Sequence, residues 1–196
     1  SSTNNEDLPG FSGAGLYDSF THKPSEGHLA KSIKQVFASL WNFRAFEERE
    51  FYRIDHFTTA MGVLVHQNFS DEAANGVAVT DDILYQTKGN YYLNTQVGEN
   101  LVTKPEANSI PEELLLNWWK PDEHKVMRHS SLARGNALLM SDKHLIQMNE
   151  CLGKIHARFA KLYGKSLNDK KFAMEIEYKI TKDGNLSIKQ ARPWVY

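Results

Sequence analysis

The segment Glu175–Tyr196 reads EIEYKITKDGNLSIKQARPWVY, and the way it folds back on itself decides the architecture of the C-terminal part of the chain. Two runs with alternating apolar residues flank Asp183-Gly184, a dipeptide favoured in two-residue hairpins because a type I′ turn needs positive φ at both central positions. Such a turn sets Lys182 opposite Asn185. Counted outward in that register, Glu177 faces Gln190 and Glu175 faces Arg192, and all four share one side because side chains alternate along a strand. Met174, Ile176, Tyr178, Ile180 and Ala191 take the other side, which reads as a packed face. The polar side has two readings. It is either a set of cross-strand pairs on a solvated surface, or an oxygen pair for a hard cation such as Mg²⁺ beside a guanidinium that grips phosphate. The hairpin alone leaves both open.

The chain has 196 residues, enough to bury a substantial core in one large domain or two small ones. With 23 Lys plus Arg against 24 Asp plus Glu the net charge is −1, so no global field draws the chain to nucleic acid or to an anionic membrane, and any anion must be recognised locally. Its single cysteine, Cys151, excludes an internal disulfide. No apolar run approaches the roughly 18 residues of a membrane span and no signal-peptide pattern is present, so the expectation is a cytoplasmic protein without a membrane partner. The eight histidines do not fall at metal-ligand spacings: His124 and His129, and His22 and His28, miss the i, i+4 pattern, and no cysteine pair exists to complete a zinc site.

Working toward the N-terminus, Asp142 to Tyr163 carries an apolar stripe of Leu145, Met148, Leu152, Ile155, Phe159 and Leu162, which predicts a helix opened by Ser141 or Asp142 and closed near Gly164. Residues 104–135, with Pro105, Pro111 and Pro121, read as less regular, with PEELLLNWW starting a short helix at Pro111. Three segments rich in Val, Tyr and Thr read as strands: MGVLVHQNF from Met61, NGVAVTDDI from Asn75 and NYYLNTQVG from Asn90. From His28 to Arg53 a second amphipathic pattern, without Pro or Gly, predicts one continuous helix. The whole reads as α+β, a largely antiparallel sheet flanked by long helices and ending in a β-hairpin.

Residues 1–16 read as loop, and GFSGAGLYD within it places Gly10, Gly13 and Gly15 close together. Clustered glycines let backbone amides approach a polyphosphate without a Cβ in the way, although the spacing matches neither a P-loop nor a dinucleotide fingerprint, and a plain surface turn has the same composition. Taken in order, SSTNNEDLPGFSGAGLYDS, ASLWNFRA, GVLVHQ, NGVAVT, QVGENLV, EIEYKI and IKQARP resemble successive motifs of the nucleotide-binding domain shared by phosphoenolpyruvate synthase, pyruvate phosphate dikinase and the α-glucan water dikinases. The likeness runs from Ser1 to about Pro193.

The resemblance implies an ATP-grasp fold, with residues 1–60 forming the glycine-rich loop and packing helix and 61–196 the second lobe, while the first lobe and the phosphohistidine and acceptor domains lie outside these residues. It implies ATP and Mg²⁺ as ligands. By the same resemblance Gly13, Ala14 and Gly15 cover the phosphates, Val65 and His66 belong to the strand and hinge beside the adenine, and Glu99 and Glu175 lie near the nucleotide. Glu177 and Gln190 would hold Mg²⁺, and Arg192 would contact the transferring phosphate. Two features depart from the family pattern: Asp81 stands where many relatives carry Arg, and the hinge reads Val65, His66, Gln67, Asn68. These departures leave a binding or regulatory module without turnover as the alternative to a phosphotransferase.

Overall fold

Strands β5 (Ala74–Val79), β6 (Asn90–Val97), β7 (Glu112–Asn117), β8 (His124–Arg128), β9 (Met174–Ile180) and β10 (Leu186–Pro193) form one antiparallel sheet in the order β10-β9-β5-β6-β7-β8. The computed structural model describes residues 1–8, 11–13, 15–66, 71–100, 102 and 108–194. The chain divides into two compact units, Ser1–Asn68 and Phe69–Trp194, and the sheet belongs to the second.

One face of the sheet is apolar. Ala78, Leu93, Leu114, Leu116, Met174 and Ile176 pack there against Leu145, Met148 and Leu152 of a helix, Asp142–Leu162. The helix starts as expected: Ser141 accepts the backbone N–H of His144 at 3.3 Å. Its end is a Schellman closure. Gly164 has φ +63°, its N–H reaches Lys161 O, and the Lys165 N–H reaches Ala160 O.

The middle of the chain differs from expectation in two places. Residues 112–117 are not a helix but β7: β6 and β8 pair with its two edges, and the burial of Leu114, Leu115 and Leu116, which alternate between its faces, shows both faces covered. Residues 124–128 form β8, so the region read as irregular supplies two of the six strands.

The hairpin turn differs as well. Asp183 lacks positive φ and only Gly184 (+73°) enters the left-handed region. The pairing reaches Thr181 opposite Asn185, leaving a three-residue loop in place of the two-residue turn. That moves the register by one, Ile180 to Leu186 and Tyr178 to Ile188, until a bulge at Lys189 moves it back. Gln190 therefore does pair with Glu177 and Arg192 with Glu175, through two compensating shifts. The bulge also explains why Ile188 and Ala191, three residues apart, both pack on the core side.

In the first unit, β1 (Ser2–Thr3) pairs with β4 (Met61–Gly62) and β2 (Asp7–Leu8) with β3 (Phe11–Ser12). The continuous helix expected over 28–53 is two helices, α1 (Ala30–Ala38) and α2 (Phe43–Phe51), which makes the Asp142–Leu162 helix α3. The break is made by side chains that compete with the helical backbone. Ser39 donates to Val36 O at 2.7 Å, and Asn42, extended at ψ 151°, caps α2 by accepting from Ala45 N at 2.8 Å. Arg49 is buried in this unit, 1% exposed, donating to His56 Nδ1 at 2.9 Å and to the Leu40 carbonyl. Of the strand expected from Met61, only Met61–Gly62 is strand among the described residues; Leu64 and Val65 are exposed, and the end of the expected segment, from residue 67, lies outside the described residues.

Candidate functional site

The second face of the sheet is built from the alternate positions of the same strands, and it is polar. On β9 and β10 it carries Glu175, Glu177, Gln190 and Arg192, the four residues that the register count places together. Arg192 Nη2 donates to Glu175 Oε1 at 2.7 Å, and both side chains are only 15% exposed. This is a largely desolvated, charge-assisted pair, not a loose pair on a solvated surface. Glu175 thus acts on the guanidinium by fixing its direction.

One pair along, the Glu177 carboxylate has no hydrogen bond or ion pair among the described residues, and neither has the Gln190 amide directly opposite. Two uncommitted oxygen donors on adjacent strands are the donor chemistry of a hard cation that takes its remaining ligands from water and phosphate. Among the described residues no three His, Cys, Asp or Glu side chains gather as a metal cage. A cation here would depend on such shared ligands.

The same face holds residues that the sequence reading did not single out. Lys179, 2% exposed, is paired with Glu72 at 2.7 Å. Glu113 accepts from Tyr85 Oη at 2.7 Å, Tyr92 Oη at 3.1 Å and Arg128 Nη2 at 2.7 Å. Burial and the Glu113 charge hold the Tyr92 phenol well above its usual range. Tyr85 is set by the Asp82 carboxylate, which accepts from the Tyr85 and Thr87 backbone N–H groups at 2.9 Å each. The visible signal was the alternation in NYYLNTQV, which puts Tyr92, Asn94 and Gln96 on one side.

One further expected residue, Glu99, belongs to the same unit. Glu99 lies exposed in the turn after β6, a turn clamped by Asn75 Nδ2 on the carbonyls of Gly98 (2.6 Å) and Asn100 (2.9 Å). Gly13, Gly15, Val65 and His66 lie in the first unit, and Ala14 and Gln67 fall outside the described residues. Gly13 is closely packed, since a Cβ there would meet Glu6 Cα at 3.1 Å, and Gly15 takes φ +69°.

The model of the pyruvate phosphate dikinase AMP/ATP-binding domain matches residues 1–195. The chain belongs to this family. Phosphoenolpyruvate synthase of Aquifex aeolicus is 30% identical over 145 residues, covering 73% of this chain and 15% of that protein. The phosphoenolpyruvate synthases of Aeropyrum pernix (36% over 80 residues) and Neisseria meningitidis serogroup B (29% over 149 residues) are similar over 41% and 74% of the chain. The chain spans 10–17% of the length of these relatives. As a member of the AMP/ATP-binding domain family it has a nucleotide-binding role, and the polar sheet face is the candidate surface for it. Among the described residues no helix is long and apolar enough to cross a membrane.

Proposed function

We propose that this chain is an ATP-binding lobe of ATP-grasp type from a phosphoenolpyruvate synthase-like dikinase, whose parent protein passes phosphate from ATP to a histidine on another domain and then to an acceptor. The observation that carries the reading is the pairing of two uncommitted oxygens, Glu177 and Gln190, beside a braced guanidinium at Arg192. Phosphoryl transfer asks a protein for positioning and charge neutralisation more than for covalent chemistry, and these residue types supply both.

Glu177 and Gln190 would hold Mg²⁺, which when bound neutralises charge on phosphate oxygens. Arg192 offers fork-shaped donors to the transferred group, with Glu175 keeping the fork in place. Gly13 to Gly15 would cover the phosphates, Val65 and His66 would border the base, and Glu99 would lie near the nucleotide. Residues 1–60 then provide the loop and packing helices and 61–196 the second lobe, in a cytoplasmic parent that supplies the first lobe and the phosphohistidine domain.

The test is histidine phosphorylation of the full-length parent from labelled ATP, wild type against Glu177→Gln. Loss of label in a variant that keeps its thermal midpoint supports the reading, and undiminished label overturns it. A second reading, a module that binds ATP without turning it over, draws on the pairing of Arg192 with Glu175, since a neutralised guanidinium binds phosphate less strongly. It predicts nucleotide binding and no label in the wild-type parent.

A further inference from the structure

A row of directly paired residues crosses the polar face from one sheet edge to the other: Gln190, Glu177, Val77, Asn94, Glu113 and Arg128. The rows on either side are interrupted by buried side chains, although Glu175 on one and Asn75 on the other are half-buried, and only this row keeps contact with solvent on three adjacent strands. Val79 and Tyr92 are 1% and 7% exposed on one flank, Lys179 and Gln96 2% and 0% on the other, whereas Glu177, Val77 and Asn94 all keep contact with solvent. Glu113, saturated by two tyrosines and an arginine, ends the open track.

Asn94, midway, breaks the rule that buried polar atoms are paired: its Oδ1 is buried without a hydrogen-bond partner among the described residues. Leucine, of similar shape, would remove that unsatisfied atom, so asparagine at this position works against stability. A residue that violates local consistency in the middle of an open track marks a functional position.

We infer that Asn94 recognises the ribose of the bound nucleotide. This rests on the nucleotide reading above. With the polyphosphate at Glu177, Gln190 and Arg192, strand β10 is the sheet edge, so the open row leads the rest of the molecule inward. Val77 lies one strand on as an apolar floor, and Asn94 lies two strand spacings from Glu177, about 10 Å. An amide both donates and accepts, and turning it about its last torsion brings Oδ1 to the open side, where vicinal hydroxyls offer donors and acceptors in return.

The experiment is calorimetric titration of this chain, as wild type, Asn94→Leu and Glu177→Gln, with ATP, 2′,3′-dideoxy-ATP and inorganic tripolyphosphate, each with Mg²⁺. Asn94→Leu is expected to weaken ATP binding about tenfold, or about 1.4 kcal/mol. It should leave tripolyphosphate binding unchanged and raise the thermal midpoint. Dideoxy-ATP should bind the wild type as weakly as ATP binds Asn94→Leu. Unchanged ATP affinity in Asn94→Leu, an equal loss of tripolyphosphate, or equal binding of the two nucleotides by the wild type overturns the assignment. If the wild type does not bind ATP, or binds it regardless of Glu177→Gln, the nucleotide reading fails first and takes this inference with it. Should Asn94→Leu not fold, Asn94→Ser gives the same comparison without the added apolar bulk.

Discussion

At the scale of single residues, the desolvated Arg192–Glu175 pair makes a lysine substitution a sharp probe. Arg192→Lys keeps the charge and loses the fork, so in the full-length parent it should lower histidine phosphorylation by on the order of 10² to 10³, about 3–4 kcal/mol in barrier. A parent rate in the variant would return Arg192 to a structural role. Glu112 gives a second test. Its carboxyl lies buried on the helix-covered face, where burial pushes its pKa up to about 7 despite the Leu139 N–H that it accepts at 3.2 Å. Because the folded state binds this proton more tightly than the unfolded chain, stability should fall as pH rises from about 4.5 to about 7 and then level off. At 1.36 kcal/mol per unit the loss is at most about 3 kcal/mol. Glu112→Gln should abolish that drop, read as the difference between wild-type and variant thermal midpoints at pH 5 and pH 8. Equal pH dependence in both proteins would contradict it.

At the scale of elements, the hairpin depends on register and β5 on close packing. The three-residue loop and the bulge at Lys189 shift the register by one residue each, in opposite senses. Deleting Lys189 therefore removes the bulge and leaves Gln190 opposite Glu177 and Arg192 opposite Glu175. The deletion should fold with a change of about 1 kcal/mol or less in urea unfolding. Wholesale loss of structure would mean that the bulge does more than correct the count. On β5, a Cβ at Gly76 would meet the Tyr178 ring at 2.5 Å and Asn94 O at 2.6 Å, and Tyr178 is locked by its hydroxyl contact with Thr95 at 2.6 Å. Gly76→Ala should cost about 1–3 kcal/mol by overpacking, measured by the same unfolding experiment. Gly76 reads in the sequence as an ordinary strand glycine, because its partner Tyr178 is 102 positions away.

At the scale of the whole molecule, the proposed reading as one lobe means that part of the contacts around ATP come from elsewhere, so that the chain alone leaves the rest of the ligand in water and lacks preorganisation. The chain alone should bind ATP·Mg²⁺ measurably but no tighter than about 1 μM, or about −8.2 kcal/mol, by calorimetry. Sub-micromolar affinity would mean that these residues hold a more complete site than one lobe.

What the sequence determined by itself is local and periodic. The apolar stripe and Ser141 cap defined α3, alternation defined β5, β6 and β9, and the cross-strand facing of Glu177 with Gln190 and Glu175 with Arg192 was legible because a β-strand repeats every two residues. Even there Asp183-Gly184 sits in a three-residue loop instead of a two-residue turn, and the facing survives because the bulge compensates. What only the tertiary structure decided depends on partners distant in the chain. PEELLLN became a strand because β6 and β8 pair with its two edges, whereas among the described residues the strand from Met61 ends at Gly62. The Glu113 cluster, the buried Glu112 and the orphaned oxygen of Asn94 exist only once six strands lie side by side. Burial and hydrogen-bond satisfaction are properties of neighbours in space, which no local pattern contains.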